Sequence, residues 1–139
     1  MKTFTFSVPV DQLQEAFFLK ALAQIETGVN DNAKGKDGER TRYQIMPFMW
    51  NQVCTKDIRF GVVDANLASK VALIILTELS KEFHYYVKRK PDWHELYVLW
   101  NKGPVYFKRF NWDFSKLPPQ IKDRGIRYSN LVTVEQSKN

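Results

Sequence analysis

The feature of this sequence that most constrains its fold is a long, uninterrupted stretch of helical periodicity near the middle of the chain. Between residues 65 and 87, apolar side chains recur at intervals of three and four positions, and the next helix-breaking residue is Pro91. This spacing puts the apolar residues on one face of a helix of about six turns. The residues of this face are Leu67, Val71, Ile74, Ile75, Leu79 and Phe83. A helix of this pattern needs other elements to cover its apolar face, so it predicts a helical domain around it.

The segment before this helix predicts an extended start followed by a shorter helix. Residues 1–10 are predicted to be extended, because Pro9 disfavours the helical conformation at the residue before it. The first helix is predicted to begin at Asp11, a good N-cap with Gln14 at the capping-box position. It ends before Gly28, which suits the left-handed residue after a helix.

Further helices are predicted from proline and glycine signals along the rest of the chain. One begins at Pro47, and Gly61 and Asp64 mark a loop before the central helix. Another covers about 92–101 and stops at Gly103. Residues 105–120 are rich in aromatic side chains and are predicted to be irregular. A last amphipathic helix is predicted over about 120–134.

A small hairpin is predicted between the first two helices. Asp37 and Gly38 are a turn signal, and residues 40–45 alternate well enough to form a short strand. The predicted fold class is therefore mostly α, a helical domain with one small β-hairpin. The 139 residues fit a single domain, 1–139, whose core spans about 11–134.

Composition and charge limit the function classes without choosing one. Four Trp, ten Phe and 44% hydrophobic residues exclude a disordered chain, and the single Cys54 excludes an intramolecular disulfide framework. The formal charge of +6 favours an anionic partner, but no zinc-finger spacing or RNA-binding motif accompanies it. No apolar run is long enough for a membrane span, and the start has no signal-peptide pattern. The chain is thus expected to be either cytoplasmic or a mature form without its leader.

The first of five short motif-like segments lies at the end of the first predicted helix. Residues 23–30, AQIETGVN, carry Glu26 followed by a small hydroxyl residue, a glycine and Asn30. Residues 38–47, GERTRYQIMP, place Gln44 three positions before Pro47. Three more segments follow in order: 64–67 (DANL), 96–104 (LYVLWNKGP) and 127–132 (RYSNLV).

These five segments resemble, in order and approximate spacing, the motifs of soluble lytic transglycosylases and goose-type lysozymes. That family carries E-S-G-x-N, then G-A-x-G-L-M-Q-I-M-P, and later A-L-A-A-Y-N-A-G-P. The chain departs from the pattern where Thr41 and Arg42 replace a Gly-Leu pair, where Glu39 replaces a small residue, and where Trp100 replaces a tyrosine. The resemblance implies a divergent, α+β lysozyme-like domain with an active-site cleft beside the hairpin. It also implies a glycosidase that cleaves the β-1,4 bond between N-acetylmuramic acid and N-acetylglucosamine.

The resemblance makes Glu26 the catalytic acid and base, and the residue's position gives a physical reason. Glycosidic cleavage needs a carboxyl that holds a proton near the working pH. Glu26 shares a helix face with Leu19, Leu22 and Ala23, so desolvation and the helix C-terminus both favour its protonated form. The alternative is an exposed glutamate in a surface ion pair.

Glu39 is the candidate second carboxylate, with two interpretations left open. It could activate a water opposite Glu26, which would make the enzyme a hydrolase. Alternatively, it is a loop charge paired with Arg40 or Arg42, and the muramic acid 6-hydroxyl attacks instead, as in lytic transglycosylases.

The resemblance also implies four substrate-binding residues. Gln44 and Asn101 could hydrogen-bond the acetamido group and sugar hydroxyls, while Tyr43 and Trp100 could stack on a sugar ring. Ordinary core packing is the alternative for both aromatic residues.

The sequence is also compatible with other functions. A catalytically impaired glycan-binding domain of the same fold, a chitin-cleaving relative and, more distantly, a nucleic-acid-binding domain are the alternatives. Cys54 with His84 or His94 lacks a thiol-hydrolase signature and makes a poor zinc set. The expected partner is peptidoglycan or a related N-acetylated glycan, with no nucleic acid, no metal and no cofactor. A monomer in the extracellular space or cell envelope is expected.

Overall fold

The computed structural model describes residues 15–138, and these residues are mostly helical. They form seven α-helices: α1 Phe17–Thr27, α2 Pro47–Val53, α3 Ile58–Val63, α4 Ala65–Val87, α5 Trp93–Lys102, α6 Pro104–Arg109 and α7 Pro119–Ser137. A short 3-10 turn, Phe114–Lys116, lies between α6 and α7. The predicted helical class is therefore confirmed for the described part of the chain.

The chain divides into two compact units, with the boundary inside α4 after Ile75. The first unit contains α1, α2, α3 and the first half of α4. The second contains the rest of α4 with α5, α6 and α7.

The core of the first unit is built around Trp50 on α2. Its ring is fully buried, and its Nε1 donates a hydrogen bond of 2.6 Å to the carbonyl of Lys56. A Cβ atom on Gly61 would come within 2.5 Å of this ring, so glycine is what lets α3 approach Trp50. The other buried apolar side chains here include Leu19, Leu22, Ile45, Val53 and Val71.

Aromatic residues fill the second unit. Tyr97 on α5 and Tyr128 on α7 are both buried, with ring centres 5.5 Å apart. The Phe83 ring lies 6.0 Å from Phe107 and 5.9 Å from Trp112. Packing of these rings stabilises the second unit, and a chain with one cysteine has no intramolecular disulfide to do so.

The predicted hairpin is wrong for residues 40–45. The described residues contain only two isolated antiparallel bridges, Lys34 with Arg40 and Arg40 with Ile45. The chain between the last pair makes a turn in which Thr41 and Gln44 have left-handed φ angles of 70° and 56°. A strand requires extended backbone at every residue, so these two positions end it.

Other boundaries differ from the sequence predictions in smaller ways. The central helix, the helix at Pro47 and the α5 and α7 helices lie where they are predicted, and Gly28 ends α1 in the left-handed conformation. However, α1 begins at Phe17, and the predicted start at Asp11 and the extended segment 1–10 lie outside the described residues. Gly61 lies inside α3, and part of the segment predicted to be irregular forms α6.

None of the helices described in residues 15–138 combines the length and the apolar character that crossing a membrane requires.

Candidate functional site

Glu26 lies in the last turn of α1, on the side of the helix that faces the first unit's core. Leu19, Leu22 and Ala23, which precede it by seven, four and three positions, are all buried, and Glu26 itself is partly buried. Directly after it the helix ends at Gly28, which has a left-handed φ of 64°; the Gly28 N–H bonds to Gln24 and the Val29 N–H to Ala23. The local geometry agrees with the position predicted from the sequence.

Thr27 connects this helix end to the loop that carries the second motif. Its hydroxyl lies 2.9 Å from the carbonyl oxygen of Arg42 and accepts a hydrogen bond of 2.9 Å from the backbone N–H of Asn30. The residue next to Glu26 is thus bonded to the residue before Tyr43. Two segments separated by fifteen positions in sequence meet at this contact.

Gln44 is held within the same loop. Its side-chain nitrogen donates to the carbonyls of Ala33 at 3.3 Å and Thr41 at 3.1 Å. Its backbone belongs to the turn that two hydrogen bonds between Arg40 and Ile45 close. The loop therefore fixes the orientation of the Gln44 amide.

Tyr43, predicted to stack on a sugar ring, is instead fully buried. Its hydroxyl lies 2.7 Å from Ser69 Oγ on α4 and donates a short hydrogen bond to the Glu15 carboxylate. These contacts favour the packing interpretation of Tyr43.

Glu39 is used within its own loop. Its Oε1 accepts a hydrogen bond of 2.8 Å from the backbone N–H of Asp37. Its carboxyl group also covers Gly35, where a Cβ atom would come within 2.5 Å of the carboxyl carbon. Of the two expected partners, Arg40 and Arg42, the second pairs with Asp31 and Glu15. The Glu39 carboxyl stabilises its own turn through the bond from Asp37.

Trp100 and Asn101 belong to the second unit. Both lie in the last turn of α5, where Trp100 is partly buried and Asn101 is exposed. The helix ends at Gly103, whose φ of 87° suits glycine, and Pro104 begins α6. Exposure at Asn101 leaves its amide accessible to a ligand.

The structure also contains a polar cluster that the sequence did not predict. Arg42 forms a two-pronged ion pair with Asp31, at 2.7 Å from Nε and 3.0 Å from Nη2. Its remaining nitrogen lies 3.4 Å from the carboxylate of Glu15. This cluster holds the loop of residues 31–45 against Glu15, which lies just before α1.

Burial raises the pKa of Glu15, even though Arg42 and Ser69 pull it down. Arg42 offsets the effect of burial only in part, because its guanidinium is bonded mainly to Asp31 and lies farther from Glu15. Sequence alone could not find this, because the partners are 27 and 54 positions away.

We expect Glu15→Gln to gain stability relative to the parent as the pH rises from about 4 to about 7. The folded-state pKa of Glu15 lies above its unfolded value, so its stabilising contribution is complete below the unfolded pKa and is lost as pH rises through the folded pKa. The glutamine side chain does not titrate and escapes this loss. Urea denaturation of both proteins across this range measures the difference, with the exposed Glu78→Gln as control. A difference that does not change with pH would contradict the expectation.

Two further groups of reactive side chains have structural explanations. Cys54 is buried at the end of α2. Asp92, His94 and Glu95 hold potential metal ligands within 4.8 Å of one another. The Glu95 carboxylate, however, already accepts a bond from the Asp92 N–H and two from Arg89, all 2.8 Å. Capping of α5 accounts for this cluster.

Comparison with known proteins identified no relative of this chain. No family model, no curated protein and no solved structure matches the chain.

Proposed function

We propose that this chain is a lysozyme-like peptidoglycan glycosidase in which Glu26 is the general acid and base. The observation that carries the proposal is the hydrogen bond from Thr27 to the carbonyl of Arg42. It joins the helix end that bears Glu26 to the loop that bears Gln44, two of the segments that resemble motifs of lytic transglycosylases and goose-type lysozymes. In this proposal the first segment supplies the acid and the second supplies a fixed amide for substrate recognition.

The backbone of Thr41 gives independent support. Its φ of 70° is rare for a β-branched residue and natural for glycine. In the resembled family a glycine stands at this position of the loop motif. A left-handed backbone at this position is compatible with the glycine of the motif, although the residue here is threonine.

The reaction we propose is lytic transglycosylation. Glu26 protonates the glycosidic oxygen as the bond to the muramic acid C1 breaks. The resulting Glu26 carboxylate then removes the proton of the same sugar's 6-hydroxyl as that oxygen bonds to C1, which gives a 1,6-anhydro end. The use of Glu39 within its own loop favours this single-glutamate route over hydrolysis.

Substrate recognition is assigned first to Gln44 in the first unit. Its side-chain nitrogen already donates to Ala33 and Thr41, so its Oε1 is the atom that would accept a hydrogen bond from the N–H of an N-acetyl group. For Asn101 and Trp100 in the second unit, the proposal rests on the resemblance, with an exposed amide and a partly exposed ring as the available groups. The setting for such an enzyme is the cell envelope or the extracellular space.

We expect the purified chain to release soluble fragments from peptidoglycan with 1,6-anhydromuramic ends. Mass spectrometry of the products tests this directly, because hydrolysis adds one water and gives reducing ends. Chitin oligomers, incubated in parallel, test the chitin-cleaving alternative. Release with reducing ends would refute transglycosylation but keep the glycosidase, and tight binding without any release would indicate a glycan-binding domain.

A further inference from the structure

Exposed lysines and tyrosines form a continuous surface around the C-terminal end of α4 in the second unit. The Lys88 ammonium lies 5.1 Å from the centre of the Tyr85 ring, and that of Lys108 lies 5.1 Å from the centre of Tyr86. The two rings meet edge to face with centres 5.0 Å apart, and 67% of Tyr85 and 47% of Tyr86 are exposed. With Lys81 and Lys90, these residues are called the lysine–tyrosine surface below.

A shallow pocket of about 390 Å³ opens on this surface beside Tyr85. Its lining offers hydroxyl groups, an imidazole and two ammonium groups, from Ser80, Lys81, His84, Tyr85 and Lys90. Lys81 also contacts Glu78 at 3.5 Å, but both side chains are more than half exposed, and such surface pairs are weak. The pocket is therefore suited to an anion.

The cationic side chains available on this surface indicate which anionic groups it can bind. Arginine binds both carboxylate and phosphate through two parallel hydrogen bonds, whereas lysine binds phosphate as a compact point charge. Arg89, which follows Lys88 in sequence, is already bonded twice to Glu95. The charges that this surface offers to a ligand thus come from lysines, whose compact ammonium groups are suited to phosphate groups.

We propose that the lysine–tyrosine surface binds a phosphate-bearing glycan polymer of the bacterial cell wall and keeps the protein on its substrate. This inference rests on the proposed function, which makes the wall the working environment. Lysines spread along α4, the following loop and α6 suit a ligand with repeated charges rather than one small anion. Tyrosine hydroxyls at the exposed ring edges can bond the sugar hydroxyls between the phosphates.

The contacts of the two rings argue against single-stranded nucleic acid as the ligand. Single-stranded nucleic acid is bound by stacking bases on open aromatic faces. Here Trp112 stacks on Tyr86 at 5.3 Å, and Lys88 lies over Tyr85. Tyrosine and lysine also occur at membrane interfaces, so anionic vesicles are one arm of the test below.

The test measures binding separately from cleavage. The full chain carrying Glu26→Gln is sedimented with isolated cell walls that contain a phosphate-bearing polymer, and with the same walls after acid removal of that polymer. A triple variant, Lys81→Gln, Lys88→Gln and Lys90→Gln, is compared with a control triple, Lys116→Gln, Lys122→Gln and Lys138→Gln, which removes the same charge elsewhere in the second unit. We expect the first triple to bind intact walls at least about tenfold more weakly, and the control to change much less.

Each outcome distinguishes the inference from the proposed function. Equal binding by both triples, or equal binding of the Glu26→Gln chain to intact and stripped walls, would overturn the inference. So would tighter binding to an oligonucleotide or to anionic vesicles than to intact walls. Lysine-dependent wall binding by a parent chain that releases no fragments would support the surface and overturn the glycosidase proposal alone.

Discussion

Glu26→Gln should abolish release of peptidoglycan fragments while leaving the fold intact. Glutamine keeps the size and hydrogen-bonding shape of the side chain but cannot supply or take up the proton that the reaction moves. General acid–base groups contribute about 10²- to 10⁴-fold to enzymatic rates, and in the proposed reaction one residue performs both proton transfers. We therefore expect a loss of at least about a thousandfold, measured as the initial rate of fragment release from walls.

The matched control is Glu39→Gln, which also replaces one carboxyl by an amide. The amide oxygen can still accept the hydrogen bond from the N–H of Asp37, so the loop should keep its shape. We expect this variant to lose less than about tenfold in rate if Glu39 is structural. A loss as large as that of Glu26→Gln would assign catalysis to both carboxyls and favour hydrolysis. A Glu26→Gln protein that unfolds at the parent's temperature and still releases fragments would refute the role of Glu26.

Arg89→Met should be the most destabilising of the proposed charge changes, by about 3 kcal/mol at pH 7. Glu95 is 3% exposed, and burial pushes its pKa up, but the two hydrogen bonds from Arg89 and one from the Asp92 N–H together hold it below its ordinary value. Without Arg89 this carboxylate stays buried and loses its counter-charge. Because half of the Arg89 side chain is exposed, we expect the low end of the range measured for buried pairs.

The pH dependence of this loss has a definite sign. In the parent, the folded-state pKa of Glu95 lies below its unfolded value, so the stabilisation is present above the unfolded pKa and disappears as pH falls through the folded one. The difference between parent and Arg89→Met should thus shrink between about pH 7 and about pH 3. Urea denaturation at a series of pH values measures it.

Two further variants control for this interpretation. Arg109→Met removes a positive charge from an exposed position and should change stability by less than about 0.5 kcal/mol. In a Glu95→Gln background, Arg89→Met should cost much less, because no buried charge remains to be compensated. Equal losses for Arg89→Met and Arg109→Met, or a loss that does not vary with pH, would contradict the assigned role of the pair.

Local sequence was sufficient to predict the elements whose stability depends on local pattern. The α4 helix occupies the predicted residues because its apolar period is unbroken and Gly or Pro is absent from it. Glu26 lies at the predicted helix end for a similar reason, since Gly28 supplies the left-handed residue that ends α1.

The errors arise where distant residues decide the backbone. Gly61 reads as a loop signal, yet it lies inside α3 because the Trp50 ring occupies the space that a side chain would need. The sequence pattern places Thr41 in a strand, but its φ is positive. The surrounding loop imposes this φ against the preference of threonine for extended backbone. The cluster of Glu15, Asp31 and Arg42 joins three segments, and no local pattern announces it.

The buried Cys54 has a practical consequence for experiments on the first unit. It is the single thiol of the chain and is 5% exposed, so a thiol reagent can reach it only when the structure around α2 opens. The rate of alkylation by an excess of reagent therefore reports the opening equilibrium of the unit that carries Glu26 and Gln44. The natural sequence thus contains a single-site probe, which can separate loss of chemistry from loss of structure in each variant without any added label.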